Sequence, residues 1–264
     1  MQGIGGIQYQ GSSFIEMLRE ERPELLPDFG SVDRQRHVEI PHGTTVLALV
    51  YGDGVLMGGD RLATEGYQVA TRDIEKVYEI DADCVMAIAG AAGPAIEMTR
   101  LFRVELEMFQ KMELHELTFE GKANRLSFLV RQNLPAAMQG IVVMPLFAGY
   151  DPDKGRGRIY KFDVTGGRYA EADYYATGSG GKDARSSLKK SFRHGLTRAD
   201  AIDAAVEALV DAADEDRGTG GIDLNRKIYP TVKLVTATGI ETLDDDGVVA
   251  AYERVMQRRK HEDD

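Results

Sequence analysis

Cysteine is nearly absent. Cys84 stands alone in 264 residues, so no internal disulfide framework can form, and a reducing, cytoplasmic setting is expected. Basic charge is outweighed: 32 Lys and Arg face 43 Asp and Glu, a net charge of −11, which argues against a nucleic-acid footprint. Long apolar runs are missing. The stretch from Ile141 to Leu146 falls far short of a membrane span. The start, Met1-Gln2-Gly3-Ile4-Gly5-Gly6, lacks the basic residues and apolar core of a secretory signal. His37, His42, His115, His194 and His261 show no paired ligand spacing, so neither a metal nor a cofactor is expected. No Gly-x-Ser-x-Gly elbow, internal repeat or low-complexity segment occurs. The remainder is ordinary for a globular chain, 43% apolar and 28% charged.

Residues 1–43 differ from the rest of the chain. Ser12 or Ser13 can cap a short helix carrying Phe14, Ile15, Met17 and Leu18, which Pro23 and Pro27 end. The segment reads either as a disordered tail or as a removable leader with a small docking helix. From Thr45 the pattern is that of strands, over 46–51 and 55–58 across the turn Gly52-Asp53-Gly54, then 76–80 and 84–89. Residues 60–71 read as loop or irregular strand. Two helices come next, one with Met98, Leu101, Phe102, Met108, Phe109 and Met112 on its apolar face. The other runs through Leu126, Leu129, Val130, Leu134 and Ala137, with Pro135 kinking or ending it. Strands return over 141–149, 158–162, 167–170 and 174–176. A helix over 182–194 precedes one that starts at Thr197, with Asp200 placed for a capping box. Strands at 232–237 and 239–243 and a helix over 245–258 close the chain. Strands in blocks, joined as hairpins, predict an α+β fold of antiparallel sheets layered with helices rather than a doubly wound parallel sheet.

For chemistry, Gly178-Ser179-Gly180-Gly181-Lys182-Asp183 has the outline of a phosphate loop. However, Ala176 stands where the first Gly belongs and Asp183 where the metal-binding hydroxyl belongs, so nucleotide binding is not expected. The stretch His42-Gly43-Thr44-Thr45-Val46 stands at the boundary between leader and first strand. A threonine hydroxyl needs a base. Cleavage between Gly43 and Thr44 would create one, an α-amino group with a reference pKa of about 7.7–8.0. Taken alone, Gly-Thr-Thr reads first as the plain start of a strand.

Its companions are Gly58-Gly59-Asp60-Arg61-Leu62-Ala63-Thr64, Lys76 within Asp73-Ile74-Glu75-Lys76-Val77, and Ala89-Gly90-Ala91-Ala92-Gly93-Pro94. Later come Gly178-Ser179-Gly180-Gly181 and Asp216-Arg217-Gly218-Thr219-Gly220-Gly221. In this order they resemble the β-type subunits of the 20S proteasome, which are N-terminal-nucleophile hydrolases. The resemblance covers residue 44 to the end. The long leader and Asp60-Arg61-Leu62-Ala63-Thr64 look most like the actinobacterial members. It implies a four-layer α/β/β/α sandwich of two antiparallel sheets, a propeptide over 1–43 removed autocatalytically, and a catalytic domain over 44–264. It casts Thr44 as nucleophile, Asp60 and Lys76 as the acid–base pair beside it, and the Gly90 N–H as the oxyanion donor. Ser179, Asp216 and Thr219 become the polar set around the terminal amine. Leu62 departs from the family, many members of which carry Arg there.

The resemblance also implies a substrate pocket lined by Ala63, Thr64, Ile74, Tyr78, Ile88, Ala92 and Ile96. None of these is charged, so large apolar side chains before the cut bond are expected. The implied partners are proteasome α subunits, further copies of this chain in seven-membered rings, an ATP-driven unfoldase ring, and protein substrates that include ones tagged with a small ubiquitin-like modifier. No nucleic acid or membrane is among them. The alternatives are a non-catalytic structural ring subunit and the simpler two-ring bacterial threonine peptidase. The set Thr44, Asp60 and Lys76 speaks against the first, and the strands around Asp151 to Ala170 with the long C-terminal helix speak against the second.

Overall fold

The computed structural model describes residues 43–65 and 68–262; the expected helix near Phe14 to Leu18 and the leader up to His42 lie outside the described residues. In chain order, β1 (Thr45–Tyr51) and β2 (Gly54–Gly59) form a hairpin, followed by the short β3 (Ala63–Glu65) and β4 (Gln68–Thr71) and by β5 (Val77–Asp81) and β6 (Cys84–Gly90). Helices α1 (Ala92–Glu113), α2 (Phe119–Gln132) and α3 (Leu134–Ala137) lead to β7 (Val143–Asp151), β8 (Arg156–Phe162), β9 (Arg168–Glu171) and β10 (Tyr174–Gly178). Helices α4 (Gly181–Ser191) and α5 (Arg198–Glu215), strands β11 (Thr231–Thr236) and β12 (Gly239–Thr242), and helix α6 (Asp245–Glu262) complete the chain.

Two five-stranded sheets carry the architecture, in the orders β10-β1-β2-β11-β12 and β5-β6-β7-β8-β9. Neighbouring strands in both pair antiparallel throughout. Successive strand side chains point to opposite faces, and here both faces are buried. Val46 and Ala48 of β1 and Val55 and Met57 of β2 meet Val85, Ala87, Leu146 and Ala148 of the second sheet. The alternate residues Leu47, Leu49 and Leu56 pack outward on Leu188, Ala205 and Leu209 of α4 and α5. On the other side Met86, Ile88 and Phe147 pack on Met98, Phe102, Phe119 and Leu126 of α1 and α2. The layers therefore run helix, sheet, sheet, helix, the expected α+β sandwich.

Four local readings change. Residues 60–71 hold a small hairpin, β3 with β4, that belongs to neither large sheet. Ile141 and Val142 precede β7 instead of opening it, because the chain turns at Gly140 (φ 90°) and Val142 O accepts from Ala91 N at 2.9 Å. Helix α4 stops at Ser191, where Phe192 turns extended, rather than at His194. Pro135 sits in the first turn of a separate one-turn helix, where its missing N–H has no partner to lose. The expected Thr197 cap forms, its hydroxyl oxygen accepting from Asp200 N at 3.2 Å.

Register places the candidate functional residues. Thr45 pairs with Gly178 and Val46 with Gly59, so the start of β1, the end of β2 and the end of β10 meet at one edge. Asp60 and Ser179 are the residues directly after β2 and β10, and Gly90 ends β6 in the facing sheet.

Candidate active site

Thr44 is buried just before β1, and its backbone is held on both sides of the residue. Its O accepts from Ser179 N at 2.8 Å, and its N donates to Ser179 Oγ at 3.2 Å. Its hydroxyl donates to Gly43 O at 2.6 Å. A side chain has no room at Gly43, since a Cβ there would lie 2.6 Å from Gly218 O and 2.7 Å from Thr64 Oγ1. Gly178 is equally constrained. Its φ is 101°, and a Cβ would meet Thr44 O at 1.9 Å.

Asp60 and Lys76 form a buried ion pair, Nζ to Oδ1 2.6 Å, with side chains 0% and 5% exposed. All carboxylate capacity is directed. Oδ1 also accepts from Thr45 N at 2.7 Å, and Oδ2 accepts from Leu62 N at 3.0 Å and Gly220 N at 2.8 Å. The Lys76 ammonium donates besides to Leu62 O at 2.6 Å and to Gly43 O at 3.3 Å. Burial pulls this ammonium below the ordinary lysine range, while the charge and hydrogen bond of Asp60, and then the charge of Asp216, oppose the shift. The family departure at Leu62 leaves the pair intact, because it is the Leu62 backbone that touches both members.

Ser179, Asp216 and Thr219 form a second cluster. Asp216 Oδ2 accepts from Ser179 Oγ at 2.5 Å and from Thr219 Oγ1 at 2.6 Å, and Oδ1 accepts from Gly218 N at 3.1 Å. Sequence reasoning passes over Thr45 as a plain strand start. It is fully buried, and its hydroxyl lies 2.6 Å from Thr219 Oγ1 and accepts from Gly180 N at 3.1 Å. The available signal is the doublet itself, since adjacent strand residues face opposite ways and two threonines serve two environments.

A cavity of about 290 Å³ opens beside Thr44. Gly43, Gly90 and Lys76 line it, together with the expected Ala63, Thr64, Ile74, Tyr78, Ile88 and Ala92. Ile96 is not among its lining residues. Ala95, one position earlier on α1, is, along with Ala70 and Glu75. The expectation of an uncharged wall therefore needs correction at Glu75, which joins Lys76 as a charged lining residue. The Glu75 carboxylate is engaged on both oxygens, Oε1 accepting from Lys76 N at 3.1 Å and Val77 N at 2.9 Å and Oε2 from the Thr231 hydroxyl at 3.3 Å. Gly90 takes φ 122°, and a Cβ there would strike Val142 O at 2.1 Å, so only glycine lets β6 end beside the cavity.

A larger cleft of about 800 Å³ touches α4, α5 and α6. Two of its arginines are paired with acids, Arg258 with Asp203 at 2.9 Å and Arg259 with Asp211, and Arg193 donates to the carbonyls of Lys190 and Phe192. Among the described residues, no group of three or more His, Cys, Asp or Glu could hold a metal, and no helix is long and apolar enough to cross a membrane. Cys84 is buried, and burial pushes its thiol well above the ordinary range, which fits a core role.

Residues 40–224 match the sequence model of the proteasome subunit family. A proteasome subunit beta of Streptomyces griseus is 47% identical over 254 residues, covering 96% of this chain and 90% of that one. Those of Acidothermus cellulolyticus and Acidimicrobium ferrooxidans are 49% and 50% identical, over 94% and 89% of this chain and 87% and 85% of theirs. With the layered sheets and the arrangement around Thr44, these likenesses settle the family: the chain belongs to the proteasome subunits, as a β-type member of the actinobacterial kind.

Proposed function

We propose that this chain is a threonine endopeptidase subunit of a 20S core particle, and that it first cuts itself between Gly43 and Thr44. The observation that carries this reading is the convergence of two donors, the Thr44 hydroxyl and the Lys76 ammonium, on the single oxygen of Gly43. The two hydrogen bonds hold the hydroxyl against this carbonyl and polarise it, and the Lys76 ammonium remains as donor to the negative charge that attack would place there. Thr44 Oγ1 adds to the Gly43 carbonyl carbon, and its proton passes to the nitrogen of Thr44. The C–N bond breaks, and an ester joins Gly43 to the threonine oxygen. Water then hydrolyses the ester, releasing residues 1–43 with a new carboxylate and leaving Thr44 with a free amine. That amine takes over as base for peptide substrates, beside Ser179 as acceptor. In each later cycle Thr44 Oγ1 forms an acyl-enzyme, the departing amine takes the proton, and water regenerates the hydroxyl. Asp60 holds the Lys76 ammonium beside the Gly43–Thr44 junction, and the Gly90 N–H serves as donor to the developing oxyanion. The chemistry needs no cofactor.

Intact-mass measurement of the assembled particle tests the reading. Loss of residues 1–43 from the wild type is expected, and full retention of the leader in active particles refutes it. The cavity makes a second expectation. Peptides ending in Leu, Tyr or Phe are cut faster than those ending in Lys or Asp, and equal rates on all of them remove the pocket assignment. The crowding at Gly43 makes a third. Gly43→Ala displaces the junction by about the bulk of a methyl, slowing leader loss about a hundredfold in a mass-resolved time course. The same reading places the chain in seven-membered rings with α-type subunits, served by an ATP-driven unfoldase and acting in the cytoplasm on unfolded and modifier-tagged proteins.

A further inference from the structure

We propose that Thr45 is a positioning residue for the threonine chemistry, acting through its hydroxyl on Ser179. The inference rests on the endopeptidase reading and adds a residue to it. Its basis is the direction of the hydrogen bonds in the second cluster. Asp216, as a carboxylate, can only accept, and its Oδ2 lies 2.5 Å from Ser179 Oγ and 2.6 Å from Thr219 Oγ1. Each hydroxyl owns one proton; Ser179 Oγ also lies 3.3 Å from Thr44 O, but its 2.5 Å contact to the carboxylate is much the shorter, so both protons are assigned to Asp216. Thr219 Oγ1 is then left only lone pairs for Thr45 Oγ1 at 2.6 Å, and Thr45 must be the donor in that contact. The Thr45 oxygen accepts in turn from Gly180 N at 3.1 Å. The chain therefore runs one way, from the Gly180 N–H through Thr45 and Thr219 to Asp216.

The far end of this chain sets the state of Ser179. With its proton held by Asp216, Ser179 Oγ meets Thr44 N, 3.2 Å away, as an acceptor only. That polarity is what a base-forming amine requires: an N–H held and its lone pair left free for the hydroxyl. Thr45 reaches the other acid directly, through its N–H to Asp60 Oδ1 at 2.7 Å. One residue thus steadies both the Asp60–Lys76 pair and the Ser179–Asp216 pair. The space is shaped for it. A Cβ at Gly180 would lie 2.5 Å from Thr45 Oγ1 and 2.6 Å from Thr219 Oγ1.

Thr45→Val keeps the shape and removes the donor, while Thr45→Ser keeps the donor. Full-length chains are assembled with the α-type subunits and measured for leader loss by intact mass and for kcat and KM on a Leu-ending peptide. Thr45→Val is expected to lower kcat per processed subunit about tenfold to a hundredfold at unchanged KM, with Thr45→Ser close to wild type. Should Thr45→Val not assemble, Thr45→Cys, with only a weak donor in the place of the serine hydroxyl, is compared with Thr45→Ser and is expected to show the same kcat loss. Unchanged kcat in the valine or cysteine variant overturns the proposal, as does equal loss in the serine variant. A wild type that neither sheds its leader nor cuts peptide overturns the endopeptidase reading instead.

Discussion

Replacing Thr44 with alanine is expected to give a chain that folds and keeps residues 1–43 but cuts no peptide. The backbone bonds that seat this residue run from its O and N to Ser179 and do not use the hydroxyl, so the site's frame survives the change. The attacking oxygen is lost, and with it both reactions. Removing a nucleophile costs on the order of a millionfold in turnover where it has been measured in hydrolases. Intact mass and peptide hydrolysis read the two losses separately. Thr44→Ser restores an oxygen in the same frame and recovers leader loss. Leader loss in the alanine variant would instead mean that another group, or another protease, cuts the junction.

The second large effect falls on stability as well as rate. Lys76→Met is expected to cost about 3 kcal/mol and Asp60→Ala about 5 kcal/mol, the two ends of the range for breaking a buried pair by removing one partner. The partners left behind set this order. Without Lys76, Asp60 still accepts from the N–H groups of Thr45, Leu62 and Gly220. Without Asp60, those three donors lose their acceptor and the buried ammonium keeps only the carbonyls of Leu62 and Gly43. Both variants lose peptide hydrolysis. Urea unfolding reads the stability, and a smaller cost for Asp60→Ala than for Lys76→Met would contradict the hydrogen-bond inventory. A pH dependence goes with it. The folded pKa of Lys76 lies below the ordinary lysine value of 10.5, so between the two the unfolded chain binds more protons than the folded one. This residue's contribution to stability therefore rises with pH through that window and weakens as pH falls. Lys76→Met flattens the slope there.

The elements most legible in the sequence are those whose physics is local. Gly52-Asp53-Gly54 announces the first hairpin, Thr197 with Asp200 announces a helix start, and the apolar spacing from Met98 to Phe102 announces α1. The hairpin of β3 and β4 is hidden because Gln68–Thr71 is exposed along its whole length and carries no buried–exposed alternation. At the site, Thr44, Asp60, Lys76, Gly90, Ser179, Asp216 and Thr219 can be nominated only together, by resemblance. Two groups far apart in the chain, the first ending at Gly90 and the second beginning at Ser179, leave no periodicity to read. Ile96 and Ala95 show the limit of helical spacing: both lie near the turn that Ala92 begins, and only the helix's placement against β6 decides which one meets the cavity. Glu75 and Thr45 escape notice because their roles run through backbone N–H groups and hydroxyl direction, which residue type alone does not express.

On the proposed reading, the pairing of β1 on both sides bears on how the subunit is kept inactive. The residue next to Thr44 is locked between Gly178 and the strand that ends at Gly59, and Thr44 itself is tied to Ser179 while Gly43 is still attached. The entropy of ordering the nucleophile is thus surrendered when the sheet forms, not when the leader departs. On the proposed reading, latency in this subunit is a matter of covalent connectivity rather than of shape. The precursor and the mature enzyme differ at the catalytic centre by one bond, and activation asks for no rearrangement of the fold around it.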